Sequence, residues 1–232
     1  MWLVVLLVVL VVLGLMIVVG AVAAERWART RGLELAAAQV AIQLGTTSPV
    51  VVDVPARPLL PALLSADGTE AQITARDVPV GDDARLRDLH ATIGDVRAHL
   101  RARELRTGHG TFTAMVDEAE LGRLVRLPGV VSRLELRASG LRVWTVLGVA
   151  VDADVLVHDG ALRVIPDPAQ AGRLLELPGL AAFRRAIDGR GLLVELPALP
   201  FDARVETVRF LDAQVEVTGR LAPQTLALPA GL

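Results

Sequence analysis

The sequence predicts an α+β domain, a meander of antiparallel strands with a few short helices, behind an N-terminal transmembrane helix. Three observations carry that prediction. The first 24 residues contain no charge. From Pro49 onward apolar and polar residues mostly alternate with a period of two, which marks half-buried strands. Strands and long helices nowhere alternate in βαβ fashion, which sets aside a doubly wound nucleotide-binding fold.

Taken in order, the apolar run from Trp2 to Ala24 would span about 34 Å as a helix, enough to cross a bilayer's hydrocarbon core. Trp2 and Trp27 bracket it, where interfacial indoles sit on a spanning helix. Ala21-Val22-Ala23 would also fit signal cleavage, but the length of the run and the absence of a basic leader favour a retained anchor. Arg26, Arg29 and Arg31 follow the run, so the positive-inside rule alone would hold the domain on the cytoplasmic side; a basic leader upstream of Met1 would reverse that.

From Glu25 to Leu44, Leu33, Ala36, Ala37, Val40, Ala41 and Leu44 recur at three- and four-residue steps, an amphipathic helix ending at Gly45. Val50–Val54 reads as a strand, and Pro58–Leu64 as a short apolar helix. Strands follow at 70–78, 86–96 and 110–116, then a helix capped by Asp117 and reaching about Arg126. Asp159-Gly160 joins the alternating segments 149–158 and 161–165, a strong hairpin signal. A second turn lies at Ser139-Gly140, and a third joins 204–211 to 213–220. Pro168–Glu176 and Pro178–Asp188 read as helical, and Leu192–Leu196 as extended. Prolines at 197, 200, 223 and 229 make the end irregular. The chain thus divides into an anchor or uncleaved signal (1–24), an amphipathic helix and linker (25–48), the α+β domain (49–222) and an irregular tail (223–232).

Composition narrows function. The 232 residues carry a net charge of −2, which removes the electrostatic case for nucleic acid. Cysteine is absent, which excludes disulfides, thiolate metal sites and a thiol nucleophile. All 24 basic residues are arginine and there is no Asn, a coding bias of GC-rich genomes.

Catalytic motifs are missing: no G-x-S-x-G, H-E-x-x-H, P-loop or glycine-rich fingerprint occurs. His90, His99, His109 and His158 are scattered, as surface histidines are. Asp152 and Asp154 share one strand face and could serve acid–base chemistry, but alternation with Val151, Ala153 and Val155 makes them the solvated side of a half-buried strand. Arg97, Arg101, Arg103 and Arg106 form the densest basic stretch, whose guanidinium forks could receive a phosphate headgroup, although a solvated strand end is the simpler reading. The most distinctive feature is apolar surplus in short amphipathic pieces, including Leu59, Leu60, Leu63 and Leu64, then Leu124, then Leu180 and Phe183. Each alone reads as ordinary core. Together, beside cleanly alternating strands, they suit a sheet curled round an oily cavity.

The sequence resembles the LmeA-like family of phospholipid-binding proteins of actinobacterial envelopes. The likeness runs from the apolar segment and the helix Ala24–Leu44 through Pro49-Val50-Val51-Val52-Asp53-Val54 and Pro58-Leu59-Leu60. It ends on Leu196-Pro197-Ala198-Leu199-Pro200, Ala203–Val208 and Val215-Glu216-Val217-Thr218-Gly219. Where the family often has a Pro-Phe pair and a following Gly, this chain has Arg57-Pro58-Leu59 and Ala66-Asp67-Gly68. The resemblance implies a tubular lipid-binding fold, a twisted antiparallel sheet wrapped around helix, on the outer (periplasmic) face of the cytoplasmic membrane. It also implies a part in making envelope glycolipids such as lipomannan. The expected function is therefore a single-pass, membrane-tethered, non-catalytic protein binding phospholipid or glycolipid, with no cofactor. Leu59, Leu60, Leu63, Leu64, Leu124, Leu180 and Phe183 are expected to line its cavity, and Arg97 and Arg101 to meet the headgroup. The alternative is an envelope enzyme or accessory subunit acting on lipid-linked sugars.

Overall fold

The computed structural model describes residues 2–56, 58–81, 84–99, 102, 104–124, 131–138, 140–146, 148–158, 161–170, 192–194, 199–211 and 213–227; within these, the side chains of 2–15, 17–19, 21, 28, 60, 64, 124 and 192–194 are not described. The apolar run and the amphipathic segment form one helix, α1 (Trp2–Leu44). Gly45 ends it with φ +64°. The Gly45 amide bonds to the Ile42 carbonyl at 3.1 Å and the Thr46 amide to the Ala41 carbonyl at 3.1 Å, the paired bonds of a Schellman stop. Among the described residues, no helix is long and apolar enough to cross a membrane.

After α1 come β1 (Val51–Asp53), α2 (Leu59–Leu64), β2 (Thr69–Val80), β3 (Ala84–His99), β4 (Glu104–Thr107) and β5 (Gly110–Asp117). Helix α3 (Glu118–Leu124) follows, its start capped by Asp117, whose carboxylate accepts the Glu120 amide at 2.9 Å. Then come β6 (Val131–Arg137), β7 (Gly140–Thr145), β8 (Ala150–His158), β9 (Ala161–Pro166), β10 (Leu192–Val194), β11 (Arg204–Leu211), β12 (Gln214–Leu221) and β13 (Gln224–Ala227). Pro168–Gln170 is helical; the rest of the two helices expected between 168 and 188 lies outside the described residues.

These strands build two antiparallel sheets. The larger runs β1-β2-β3-β5-β12-β11, with β4 pairing both β3 and β13; the smaller runs β10-β9-β8-β7-β6. Their inner faces meet in one hydrophobic cluster that joins Ile73, Leu89 and Phe112 of the larger sheet to Leu134, Val143 and Leu162 of the smaller. Both sheets are open, so the expected single sheet wrapped around a helix is corrected: only the last turns of α1, through Val40 and Leu44, enter that core. The irregular tail is corrected too. Gln224–Ala227 pairs with Thr107–Glu104, which gives the short basic hairpin arm a second neighbour.

Two aspartates re-phase the long strands. In β2, Ala75 and Val78 are both buried although three residues apart, and Asp77 between them takes φ +51°. In β3, Asp95 with φ +52° does the same ahead of buried Val96. At Asp95 the register with β2 shifts, between Thr69 and Ala71, a bulge of the kind that bends a strand and adds twist, while across Asp77 the pairing runs unshifted from Arg76–Asp88 to Val78–Leu86. A satellite cluster of Val54, Leu59, Ala71 and Val96, with Leu33 and Leu63 against it, binds α1 and α2 to β2 and β3. Arg29 ties the same place, donating to the Val54 carbonyl at 2.6 Å, while the Leu59 amide donates to the Glu25 carboxylate.

Glycine is needed where β12 crosses Phe112. A Cβ on Gly219 would lie 2.7 Å from Phe112 Cε1 and would clash with the Arg204 carbonyl oxygen of β11. Gly219→Ala is therefore expected to destabilise the fold by roughly 1–3 kcal/mol, the usual cost of overpacking a filled site. Thermal unfolding followed by circular dichroism measures it, and an unchanged midpoint would reject the close approach.

Candidate functional site

The inner faces do not close on each other completely. Between them lies an apolar crevice with about 760 Å³ of empty space, the open solvent at its mouth included. Its floor is buried: Leu86 of β3, Phe112, Ala114 and Val116 of β5, and Leu121 of α3. The smaller sheet contributes Leu141, Val155, Leu162 and Val164. Exposure rises toward one side, where Val208 and Phe210 of β11, Val217 of β12, Leu199 and Val155 are only half-buried. The mouth therefore lies along β11, the edge strand of the larger sheet, where it touches β8. No polar side chain lines the crevice among the described residues. Such a surface offers nothing to a charged or hydroxylated substrate, and dehydrated space of this kind favours hydrocarbon.

The model of the LmeA-like phospholipid-binding family matches residues 23–220, most of the chain. The chain belongs to that family. It is a lipid-binding family without catalytic activity. The chain matches no curated protein and no solved structure.

Family membership and geometry agree on the kind of ligand, but the lining residues differ from those read in the sequence. Leu59 and Leu63 pack in the satellite cluster with α1, away from the crevice. The side chains of Leu60, Leu64 and Leu124 are not described, and Leu180, Phe183 and Arg101 lie outside the described residues. Arg97 is wedged beside Gly68, where a Cβ would sit 3.1 Å from its Nε, and its Nη2 lies 3.7 Å from Asp95. That Nε is buried without a hydrogen-bond partner. The arginine thus packs at the satellite cluster and not at the crevice mouth. What sequence reasoning missed was the inward phase of the strands themselves: 112/114/116, 208/210 and 215/217 are plain alternations of apolar residues, visible in the sequence but outweighed there by the leucine-rich helices.

Asp152 and Asp154 point away from the crevice, since Val151 and Ala153 on the same strand are buried inward. They border a groove of mixed lining with about 570 Å³ of empty space, open solvent included, beside Arg137, Ile165 and Asp167. Asp152 is fully engaged there. Arg142 grips it bidentately, Nε to Oδ1 at 2.6 Å and Nη2 to Oδ2 at 2.9 Å, and Gln170 donates to Oδ2 at 3.2 Å. The Arg142 hydrogen bonds, then that of Gln170, hold the Asp152 carboxyl down to about 2. A carboxylate so committed is a poor proton donor or acceptor near neutrality; its position between β7, β8 and the segment at Gln170 makes it a cross-brace of the smaller sheet.

The linkage has a definite sign. The folded state holds Asp152 more acidic than an unfolded aspartate, so its contribution to stability is complete above about pH 4 and fades as pH falls through the folded value. Asp152→Asn is expected to lower the urea midpoint at pH 7 and to differ little from the parent near pH 2, where the parent carboxyl is itself being protonated. Equal midpoints at pH 7 would show that the brace contributes nothing.

Proposed function

We propose that the domain captures a phospholipid by drawing acyl chain into the crevice between its two sheets, with the headgroup left outside at the β11 mouth. The observation that carries this is the wholly apolar lining, graded from buried floor to half-buried mouth. Each methylene taken from water contributes about 0.8 kcal/mol, so a few carbons of one chain already support useful affinity. A phosphate headgroup entering the crevice would lose its hydration with no donor to replace it, which keeps it in water.

In this reading the protein is a single-pass resident of the cytoplasmic membrane, with the domain on the outer face. What supports tethering is the uncharged run Trp2–Ala24, its continuity with the helix that packs on the domain, and Trp27, exposed one turn beyond the run. Tethering would raise the domain's effective concentration beside its lipid source. The protein then supplies phospholipid to, or withdraws it from, the sites where envelope glycolipids are made.

Val217 offers a clean test. It pairs with Val208 on one side and Ala114 on the other, and is half-buried in the mouth, so a larger side chain there has room to enter the crevice instead of breaking the core. Val217→Trp is expected to cut co-purifying phospholipid, counted by native mass spectrometry, by on the order of tenfold, the effect of displacing one or two methylenes. Its thermal midpoint should stay near the parent's. Undiminished lipid occupancy in a folded variant would refute the crevice as the binding site.

A further inference from the structure

The turn between β7 and β8 has a composition unlike the others. The remaining hairpin connections carry polar residues, Gly81-Asp82-Asp83, Ser139, Asp159-Gly160 and Asp212, as turns ordinarily do. This one reads Thr145-Val146-Leu147-Gly148-Val149-Ala150, with no charge. Val146 is 58% exposed and Val149 36% exposed. The two valines share one short turn and so make a small contiguous apolar patch, unlike the apolar residues exposed singly elsewhere.

The tip is also closed upon itself. The Thr145 amide donates to the Val149 carbonyl at 2.9 Å, and the Gly148 amide donates to the Thr145 carbonyl at 2.9 Å. The Thr145 hydroxyl, 1% exposed as a residue, bonds the Val149 carbonyl at 3.1 Å and accepts the Val149 amide at 3.2 Å. Gly148 takes φ +77°, which lets the chain turn without a polar side chain. Groups satisfied in this way lose little on leaving water, the condition a backbone must meet at the edge of hydrocarbon. Behind the tip stand an indole and a cation. Half-buried Trp144, its Nε1 bonded to Glu135 at 3.0 Å, pairs across the ladder with Arg133, whose side chain is 65% exposed and lies 3.9 Å from the Glu118 carboxylate, leaving part of its guanidinium open to solvent. An apolar point backed by an aromatic ring and an arginine is the arrangement that seats in an anionic lipid interface.

We propose that the β7–β8 turn is a membrane-inserting wedge, with Val146 and Val149 entering the acyl region and Trp144 and Arg133 at headgroup level. It rests on the reading that the domain exchanges phospholipid with a bilayer, and gives that exchange a docking point outside the crevice.

The absence of cysteine makes the test direct. The full chain carrying Val146→Cys, labelled with a polarity-sensitive fluorophore, is reconstituted with vesicles of equimolar phosphatidylglycerol and phosphatidylcholine that contain a bilayer-embedded quencher. Thr92→Cys, exposed on the outer face of β3, is the comparison. The label at 146 is expected to shift to the blue and be quenched severalfold more than the label at 92. Equal, water-like emission at both positions would overturn the proposal, and so would quenching at 146 that persists when Val149→Asp is added. Lipid occupancy, read in parallel by native mass spectrometry, separates the two readings. An inserted tip on a lipid-free domain would sink the crevice and leave the wedge, whereas a loaded domain with a wet tip would do the reverse.

Discussion

The structure depends on a mismatch between two apolar faces. Alternation along each strand places hydrophobic side chains on one side of each sheet, and burying them drives the sheets together at about 25 cal/mol per Å². But the larger sheet offers more inner surface than the smaller one can cover. Near β2 and β3 the deficit is met by α1, whose Val40 and Leu44 enter the core from the far end of the helix. Toward β11 and β12 nothing among the described residues meets it, and the uncovered strip is the crevice. The proposed binding site is therefore not an addition to the fold. It is a part of the core that the described residues leave uncovered.

Most local structure was legible because it is written in short-range chemistry. Gly45 stops α1 since a residue at ease with positive φ lets its own amide and that of Thr46 donate the closing pair of bonds, and Asp117 starts α3 since its carboxylate can take an orphan amide. Strands β2, β3, β5, β8, β9, β11 and β12 fall within a few residues of the period-two segments. What the sequence could not supply was partnership. The pairing of Thr107 with Gln224 joins residues 117 apart, and nothing local in an arginine-bearing arm or a proline-flanked tail announces it. The arm itself sets Arg97 opposite Arg106, a like-charge pair made tolerable by Asp95 and Glu104 beside them.

The crevice was legible in kind and not in its described lining. An oily interior could be inferred from composition, and the family resemblance named its ligand class, but periodicity tells which side of a strand is apolar, never which apolar faces meet. Leucine density drew attention to Leu59 and Leu63, which turn out to fasten α1 to the domain. Valine and phenylalanine on β5, β11 and β12 line the crevice instead. This follows from geometry: a helix as short as α2 covers a small patch and is consumed in doing so, while strands present continuous rows along which a hydrocarbon chain can lie.

The proposed entry of lipid from the β11 side depends on which strands bordering the crevice can give way. The central strands cannot yield, because β3, β5 and β12 are each held by ladders on both sides. Strand β11 can. It has a ladder partner on one side only, its register with β12 slips between Val205 and Thr207, and its inward residues Val208 and Phe210 are already half-exposed. Displacing an edge strand by the width of a side chain strains one ladder and exposes little that was buried, and an incoming chain restores the apolar contact that is lost. On the proposed function the strand that yields is therefore β11, and a lipid that displaced it would also refill the space.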